Sequence, residues 1–305
     1  MTHVAVLMGG WSGEREVSLV TGKACADALE DLGYRVSRID VGRDIALQLA
    51  ELAPDVAFNA LHGPFGEDGT VQGLLEMMGL PYTHSGVLAS ALAMHKPSAK
   101  ILFEKAGIAC PDGAVLTRKA LSESDDWAAP LVIKPLNEGS SLGVDIILEG
   151  DNIPPLETGS ADDTVLVERY IPGREIQVAV GFDEVLGAIE ILSPGRFYDY
   201  QAKYAPGGSR HLMPAPMPEA DYALACNMAL TAHRVLGCRG ITRSDLRYDD
   251  TGGPDGNGPA RLYLLEVNTQ PGMTPTSLVP EIAAHRGIDF GTLCRQLVED
   301  ASCQR

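Results

Sequence analysis

Three oxygen-bearing side chains in the C-terminal third of the chain could hold a divalent cation. Within LYLLEVNTQPGMTPTSL (262–278) an apolar strand pattern is interrupted by Glu266 and Asn268. Side chains alternate along a strand, so these two share a face. A carboxylate beside a carboxamide is a poor core pair but suits Mg²⁺, which takes hard oxygen ligands. Upstream, GITRSDLRYDD places Arg243, Asp245 and Arg247 on one face of a strand over 241–248. The tip that follows, DDTGGPDGNGPA, lacks the spacing and the glutamate of an EF-hand loop and reads as a polar hairpin turn. That turn folds 241–248 back against 261–268. If the register brings the polar faces together, Asp245 joins Glu266 and Asn268 in an all-oxygen cluster, with Arg243 beside it.

Cations and backbone donors complete the set. LVIKPLNEGSSLGVDIIL (131–148) reads as a hairpin of strands 131–134 and 144–148 with a Gly/Ser tip. Backbone N–H groups and hydroxyls at that tip, with Lys134 at its base, could cover a triphosphate. Gln270-Pro271-Gly272 breaks the last strand and offers backbone N–H groups to a reacting anion. Phosphoryl transfer needs metals and cations around the phosphates more than a nucleophilic side chain. Together these pieces read as ATP-dependent activation of a substrate oxygen. Taken singly, each stretch also reads as an ordinary solvated hairpin or turn.

The elements that must position these groups follow from the chain's rhythm. Strands over 3–8, 34–40 and 56–60 alternate with a helix over 18–32, the pattern of a parallel sheet. Ligands bind beyond the carboxyl ends of such strands. Two stretches fall there, GGWSGEREVS (9–18) and LHGPFGEDG (61–69), bringing Glu14, Arg15 and His62 to the mouth of the sheet. The first is not a dinucleotide fingerprint, because Met8 stands where the first glycine belongs. Nor is Gly22-Lys23-Ala24 a Walker A loop. Glu14 also suits a solvated helix N-terminus, and His62 a loop hydrogen bond. Helices over 87–94 and 98–106 lead through Lys96-Pro97 to Gly107, a C-cap glycine. Strands over 165–171, 175–180 and 185–192 follow, with Glu168 and Glu175 interrupting apolar runs. The segment 205–218, which holds Arg210 and His211, has no periodicity and the length of a lid or binding loop. A helix over 221–236 has core-like spacing.

Composition bounds the class. The 305 residues are 45% hydrophobic and 21% charged, ordinary for a globular chain of one to three domains. A net charge of −17 argues against general binding to nucleic acid or anionic membranes. No apolar run reaches membrane-spanning length, and the N-terminus lacks the basic and apolar regions of a signal peptide. Six scattered cysteines without a CxxC pair suit a reduced, cytoplasmic chain.

GGxSxEREVS at 9–18, LHGxxGEDG at 61–69, VIKPxxEGSSxG at 132–143, YDYxAKY at 198–204, RxD at 243–245 and EVNTxPGMTxxSLVP at 266–280 occur in this order. The set closely resembles the motifs of the D-alanine–D-alanine ligases, of the ATP-grasp superfamily, and the resemblance covers essentially the whole chain. It implies an α/β protein of three-domain ATP-grasp architecture. An N-terminal parallel α/β domain (1–94) is followed by two α+β domains (95–174 and 175–305) that sandwich ATP. It implies a reaction in which ATP phosphorylates the carboxylate of one D-alanine and the amine of a second attacks the acyl phosphate. The product is D-alanyl-D-alanine, a peptidoglycan precursor.

Carried over by motif, Asp245, Glu266 and Asn268 match the ligands of Mg²⁺, as two ions for which Mn²⁺ can substitute. Lys96 and Lys134 match the contacts to the ATP phosphates, Lys203 the γ-phosphate contact and Glu175 the ribose contact. Glu168 and Ile171 lie on the segment that holds adenine mainly through backbone groups. Glu14 matches the group that receives the first D-alanine's ammonium, and Ser140 and Tyr204 match its partners in closing the lid. His62 belongs with the substrate side. Arg243 and the Gly272 N–H match the oxyanion donors, and Ser277 with the Leu278 N–H the second D-alanine's carboxylate site. The resemblance further implies a cytoplasmic homodimer with no nucleic-acid or membrane partner.

D-alanine–D-lactate ligases of the superfamily lack the AKY tyrosine, so Tyr204 favours an amine nucleophile. Other ATP-grasp ligases, a nucleotide-binding scaffold without catalysis and an NAD(P) enzyme are the alternatives. The family often places a charged side chain where His95 stands. Trp11, Gln270 and Pro275-Thr276 also depart from its commonest forms.

Overall fold

The structure is a computed structural model describing residues 1–124, 126–139, 143–151, 164–192, 209–252, 258–274 and 277–304. Three sheets carry it. The first is parallel and three-stranded, in the order β2-β1-β3, from β1 (His3–Met8), β2 (Arg35–Asp40) and β3 (Val56–Asn59). Val4 to Leu7 are wholly buried. A central parallel strand is covered on both faces, which is why β1 is continuously apolar rather than alternating. Its helices are α1 (Arg15–Asp31), α2 (Ile45–Leu52), α3 (Thr70–Met78) and α4 (Val87–Met94). α1 starts three residues before the expected 18, so Glu14 occupies its N-cap position. The turn between β1 and α1 requires glycine at Gly9, where φ is +75° and a Cβ would lie 2.2 Å from Asp40 Oδ1.

The second sheet is antiparallel, in the order β4-β7-β5-β6. α5 (Lys96–Lys105) precedes it, followed by β4 (Gly113–Thr117), α6 (Arg118–Ser122), β5 (Leu131–Pro135), β6 (Asp145–Ile147) and β7 (Thr164–Arg169). α5 begins at Lys96, not at Ser98 as the sequence suggests, because a proline is tolerated in the first turn, where its missing N–H has no intrahelical partner to lose. The expected hairpin is present, with Leu131 opposite Ile147.

The third sheet has the order β10-β9-β8-β11-β12. Its elements are β8 (Arg174–Gly181), β9 (Glu184–Leu192), β10 (Arg210–Leu212), α7 (Glu219–Leu236), β11 (Ile241–Asp249) and β12 (Arg261–Asn268). Alternation divides the faces. Ile176, Val178, Val180, Leu246 and Leu264 point into a core with α7 residues such as Ala225, Met228 and Ala232. The opposite face of β11 carries Ile241, Arg243, Asp245 and Arg247 in turn. Ile241 joins a core shared with α8 (Leu278–His285), α9 (Phe290–Asp300) and the first sheet. Leu293, Cys294 and Leu297 of α9 pack there with Cys25 and Leu29 of α1, so the end of the chain returns to its beginning. All six cysteines are free thiols. No helix among the described residues is long and apolar enough to cross a membrane.

Candidate active site

The hairpin register decides whether the acidic residues meet. β11 and β12 pair antiparallel with Asp245 opposite Glu266 and Arg243 opposite Asn268. The register shifts between Asp245 and Leu246, so that Leu246 faces Leu264 and Leu265 is the extra residue. Arg243 spans its own strand to Asp245, with Nε 2.7 Å from Oδ1 and a second guanidinium N–H 3.0 Å from Oδ2. Asn268 Oδ1 accepts from the Gln270 backbone N–H at 2.8 Å and keeps a second lone pair. Two carboxylates and one carboxamide oxygen on adjoining strands form an all-oxygen donor set, which fits Mg²⁺ chemically.

Lys96 of α5 faces Glu266, and Lys134 of the second sheet pairs with Glu168. Lys96 Nζ lies 3.3 Å from Glu266 Oε2 and donates to the Glu138 carbonyl at 2.5 Å. Lys96 thus ties the acidic strand pair to the loop that joins the strands of the 131–148 hairpin. Lys134 Nζ lies 2.6 Å from Glu168 Oε2, and Lys100 Nζ lies 2.5 Å from Glu168 Oε1. All three of these side chains are buried, so Glu168 is a carboxylate neutralised on both oxygens. The expectation placed its segment at adenine through backbone groups. The geometry adds a charged side chain that anchors Lys134.

Lys100 escaped the sequence reading. It stands four residues after Lys96, on the same side of α5, and its second contact is the Pro111 carbonyl at 2.6 Å. Only a lysine at helical spacing from Lys96 signalled it. His95 has a local role: its Nδ1 accepts from the Ser98 N–H at 3.3 Å and lies 2.7 Å from the Ser98 hydroxyl, capping α5.

Between the second and third sheets lies a cleft of about 940 Å³. Its walls include Lys96, Lys134, Glu168, Ile171, Glu175 and Glu266. Arg247 shapes its floor by donating to the carbonyls of Ile171 at 3.1 Å and Gly173 at 2.6 Å. A second cleft, of about 620 Å³, adjoins it and shares Lys96, Glu138 and Glu266. Glu14, His62, Glu67, Arg243, Asn268 and Gly272 are also in its walls.

Glu14 is buried there, with Oε2 3.2 Å from where a Cβ on Gly139 would sit, so the hairpin reaches the amino-acid side. His62 is held at both ring nitrogens, Nδ1 by Glu67 Oε1 at 2.9 Å and Nε2 by Thr21 Oγ1 at 3.0 Å. Burial pushes the Glu67 carboxyl up, against the opposing pull of His62. Glu67 is legible in the sequence only as the first of the two acidic residues of GEDG. Trp11 lies on the outer side of this loop, its ring 5.1 Å from Phe65 and capped by Arg43 at 5.4 Å.

Ser277 Oγ lies 2.8 Å from Thr274 Oγ1 and accepts from the Thr274 N–H at 3.0 Å. Ser277 occupies the N-cap of α8, so the Leu278 N–H opens the helix where backbone donors favour a carboxylate. Ser140, Lys203 and Tyr204 lie outside the described residues.

Two sheets closing on a lysine-walled cleft, with paired acidic strands at its inner end, define a ligase of the ATP-grasp class. A profile of the D-ala D-ala ligase C-terminus matches residues 102–299, and one of the D-ala D-ala ligase N-terminus matches 42–85. The chain belongs to the D-alanine–D-alanine ligase family. It is 58% identical over 308 residues to D-alanine–D-alanine ligase B of Mesorhizobium japonicum, covering 99% of both chains. The fold superposes on a D-alanine–D-alanine ligase from Bacillus anthracis complexed with ATP. The TM-score is 0.82 at 32% identity, over 98% of this chain and 97% of that one. It also superposes on the VanG D-Ala:D-Ser ligase from Enterococcus faecalis with a TM-score of 0.76 at 29% identity, over 98% of each chain.

Proposed function

We propose that the chain joins two D-alanines to D-alanyl-D-alanine at the expense of ATP, supplying a peptidoglycan precursor. The observation that carries this reading is the sharing of Lys96, Glu138 and Glu266 by the two clefts. A nucleotide's terminal phosphate in the larger cleft and an amino acid's carboxylate in the smaller one would meet at these residues. Lys96 and Lys134 hold the phosphates, Glu175 the ribose and the Glu168–Ile171 segment the base. Glu14 receives the first D-alanine's ammonium, on the wall that His62 and Glu67 brace.

Transfer of the γ-phosphoryl group to that D-alanine's carboxylate yields D-alanyl phosphate and ADP. The amine of the second D-alanine, its carboxylate held by Ser277 and the Leu278 N–H, attacks the acyl carbon. Arg243 and the Gly272 N–H stabilise the oxyanion, and phosphate leaves. Fixed donors act strongly where charge develops in a site shielded from water. Asp245, Glu266 and Asn268 would hold Mg²⁺, which neutralises phosphate oxygens when bound. Ser140, Lys203 and Tyr204 take the lid and γ-phosphate roles that their motifs imply.

Domain boundaries at 94/95 and 174/175, a homodimeric state and a cytoplasmic location follow from the same family reading. One measurement tests the function: ADP release against a panel of D- and L-amino acids that includes D-serine, with D-lactate alongside. D-alanine is expected to support the fastest turnover and D-alanyl-D-alanine to accumulate. Faster depsipeptide or D-alanyl-D-serine formation would overturn the substrate assignment.

A further inference from the structure

Gln270 lies on the loop that leaves β12, between Asn268 and Gly272, yet it lines neither active-site cleft. It is 2% exposed. Its backbone N–H holds Asn268 Oδ1 at 2.8 Å. Its side chain reaches into the N-terminal part of the molecule, where Oε1 accepts from Asn59 Nδ2 at 2.6 Å and Nε2 donates to the Leu61 carbonyl. These partners are separated from it by 211 and 209 residues of chain.

Asn59, at the end of β3, distributes the contact. Its Nδ2 also donates to the Gly66 carbonyl at 3.0 Å, and its Oδ1 accepts from the Leu61 N–H at 3.2 Å. Gln72 Nε2 donates to the same Gly66 carbonyl at 2.8 Å. Leu61 precedes His62 and Gly66 precedes Glu67, the hydrogen-bonded pair that walls the amino-acid cleft. One residue therefore touches both sides of the reaction centre: Asn268 through its backbone N–H and the stretch leading into the His62–Glu67 loop through its carboxamide. A glutamine supplies an acceptor and donors from a single flat group, as this pair of contacts requires.

We propose that Gln270 is a positioning residue, a clasp that sets the separation between the Asn268–Gly272 loop and the loop carrying His62 and Glu67. It thereby aligns the acyl phosphate with the oxyanion donors. The proposal rests on the ligation reading above. Small errors of alignment are costly in two-substrate chemistry, and displacement of a loop by an ångström can cost about 100-fold. An acyl phosphate held out of line with the second amine is exposed to water instead, which returns D-alanine and phosphate and leaves ADP without dipeptide.

The test compares wild type with Gln270→Leu and Gln270→Glu, measuring ADP and D-alanyl-D-alanine in the same reaction alongside thermal unfolding. Gln270→Leu removes both side-chain bonds. The expected result is a KM for D-alanine raised by about 10-fold or more, more than one ADP released per dipeptide and an unchanged KM for ATP. The ATP cleft is spared because Gln270 does not line it. Gln270→Glu keeps the size of the side chain but sets a carboxylate oxygen against the Leu61 carbonyl oxygen, so its defect should match or exceed that of Gln270→Leu.

Variants that unfold at lower temperature but keep wild-type KM values and one ADP per dipeptide would reduce Gln270 to a structural residue and overturn the proposal. Wild-type protein that makes no dipeptide from D-alanine would overturn the ligation reading, and the clasp with it.

Discussion

Replacing Lys100 with methionine tests whether the phosphate-side lysine is positioned by a charge relay rather than by its own strand. Methionine keeps the length and helix preference of the side chain and removes only the ammonium. Two contacts disappear, one to Glu168 Oε1 at 2.5 Å and one to the Pro111 carbonyl at 2.6 Å. A buried hydrogen bond to a charged group contributes about 1.5–3 kcal/mol, and a neutral one about 1 kcal/mol. Against this, the variant no longer buries an ammonium. Glu168 also keeps Lys134 at 2.6 Å, so the loss falls short of the roughly 3–5 kcal/mol of a fully orphaned buried charge. The net expectation is destabilisation of about 2 kcal/mol.

Function should respond more selectively. With one cation gone, Glu168 draws on Lys134 alone and withdraws its charge from the phosphates. The KM for ATP should then rise about 10-fold, equivalent to ~1.4 kcal/mol, with kcat nearly unchanged. Denaturant unfolding and ADP release at saturating D-alanine measure the two effects. Lys105→Met is the control, because Lys105 is exposed on the same helix. If Lys100→Met matched that control in both unfolding midpoint and KM for ATP, the relay would be refuted.

Glu266→Gln separates chemistry from stability. The Glu266 side chain is 27% exposed and meets Lys96 at 3.3 Å, so its pair should contribute under about 1 kcal/mol to folding. Turnover should fall roughly 100-fold because a carboxylate ligand is neutralised; near-normal turnover at saturating Mg²⁺ would sink the metal assignment. His233 provides a pH test away from the site. Burial pushes its imidazole down to about 4, below the ordinary 6.5, so between these values the unfolded chain binds the extra proton. Stability is present above about pH 6.5 and is lost as pH falls toward 4, by roughly 3 kcal/mol over the full window. His233→Asn should flatten the dependence of the denaturant midpoint between pH 7 and pH 5, and equal slopes in both proteins would refute the burial account.

The residue types and spacings that carry chemistry were legible without a structure because they are local. Glu266 and Asn268 share a face by strand alternation alone, as do Arg243 and Asp245. That the first sheet is parallel followed from the alternation of strands and helices, whereas its order β2-β1-β3 did not. Helix starts were less legible: α5 opens at Lys96 and α1 at Arg15, since proline and acidic residues are compatible with a first turn as well as with a loop. α2, α3, α8 and α9 are not legible in the sequence, their short apolar patterns being masked by neighbouring glycines and prolines.

What joins the local pieces lay beyond reach of pattern. Alternation shows which side chains share a face of one strand, but not which residue of another strand stands opposite. That Asp245 meets Glu266, with a bulge just beyond, was settled by the packing of β11 between β8 and β12. Lys100 looked like any helix-surface lysine until α5 docked over Glu168. Gln270 looked like a loop residue until the two ends of the chain were brought together. The amino-acid sequence by itself determined the donors, the cations and the family they compose. Only the tertiary structure decided their pairings, because contacts across hundreds of residues depend on how whole faces bury against one another and not on any local period.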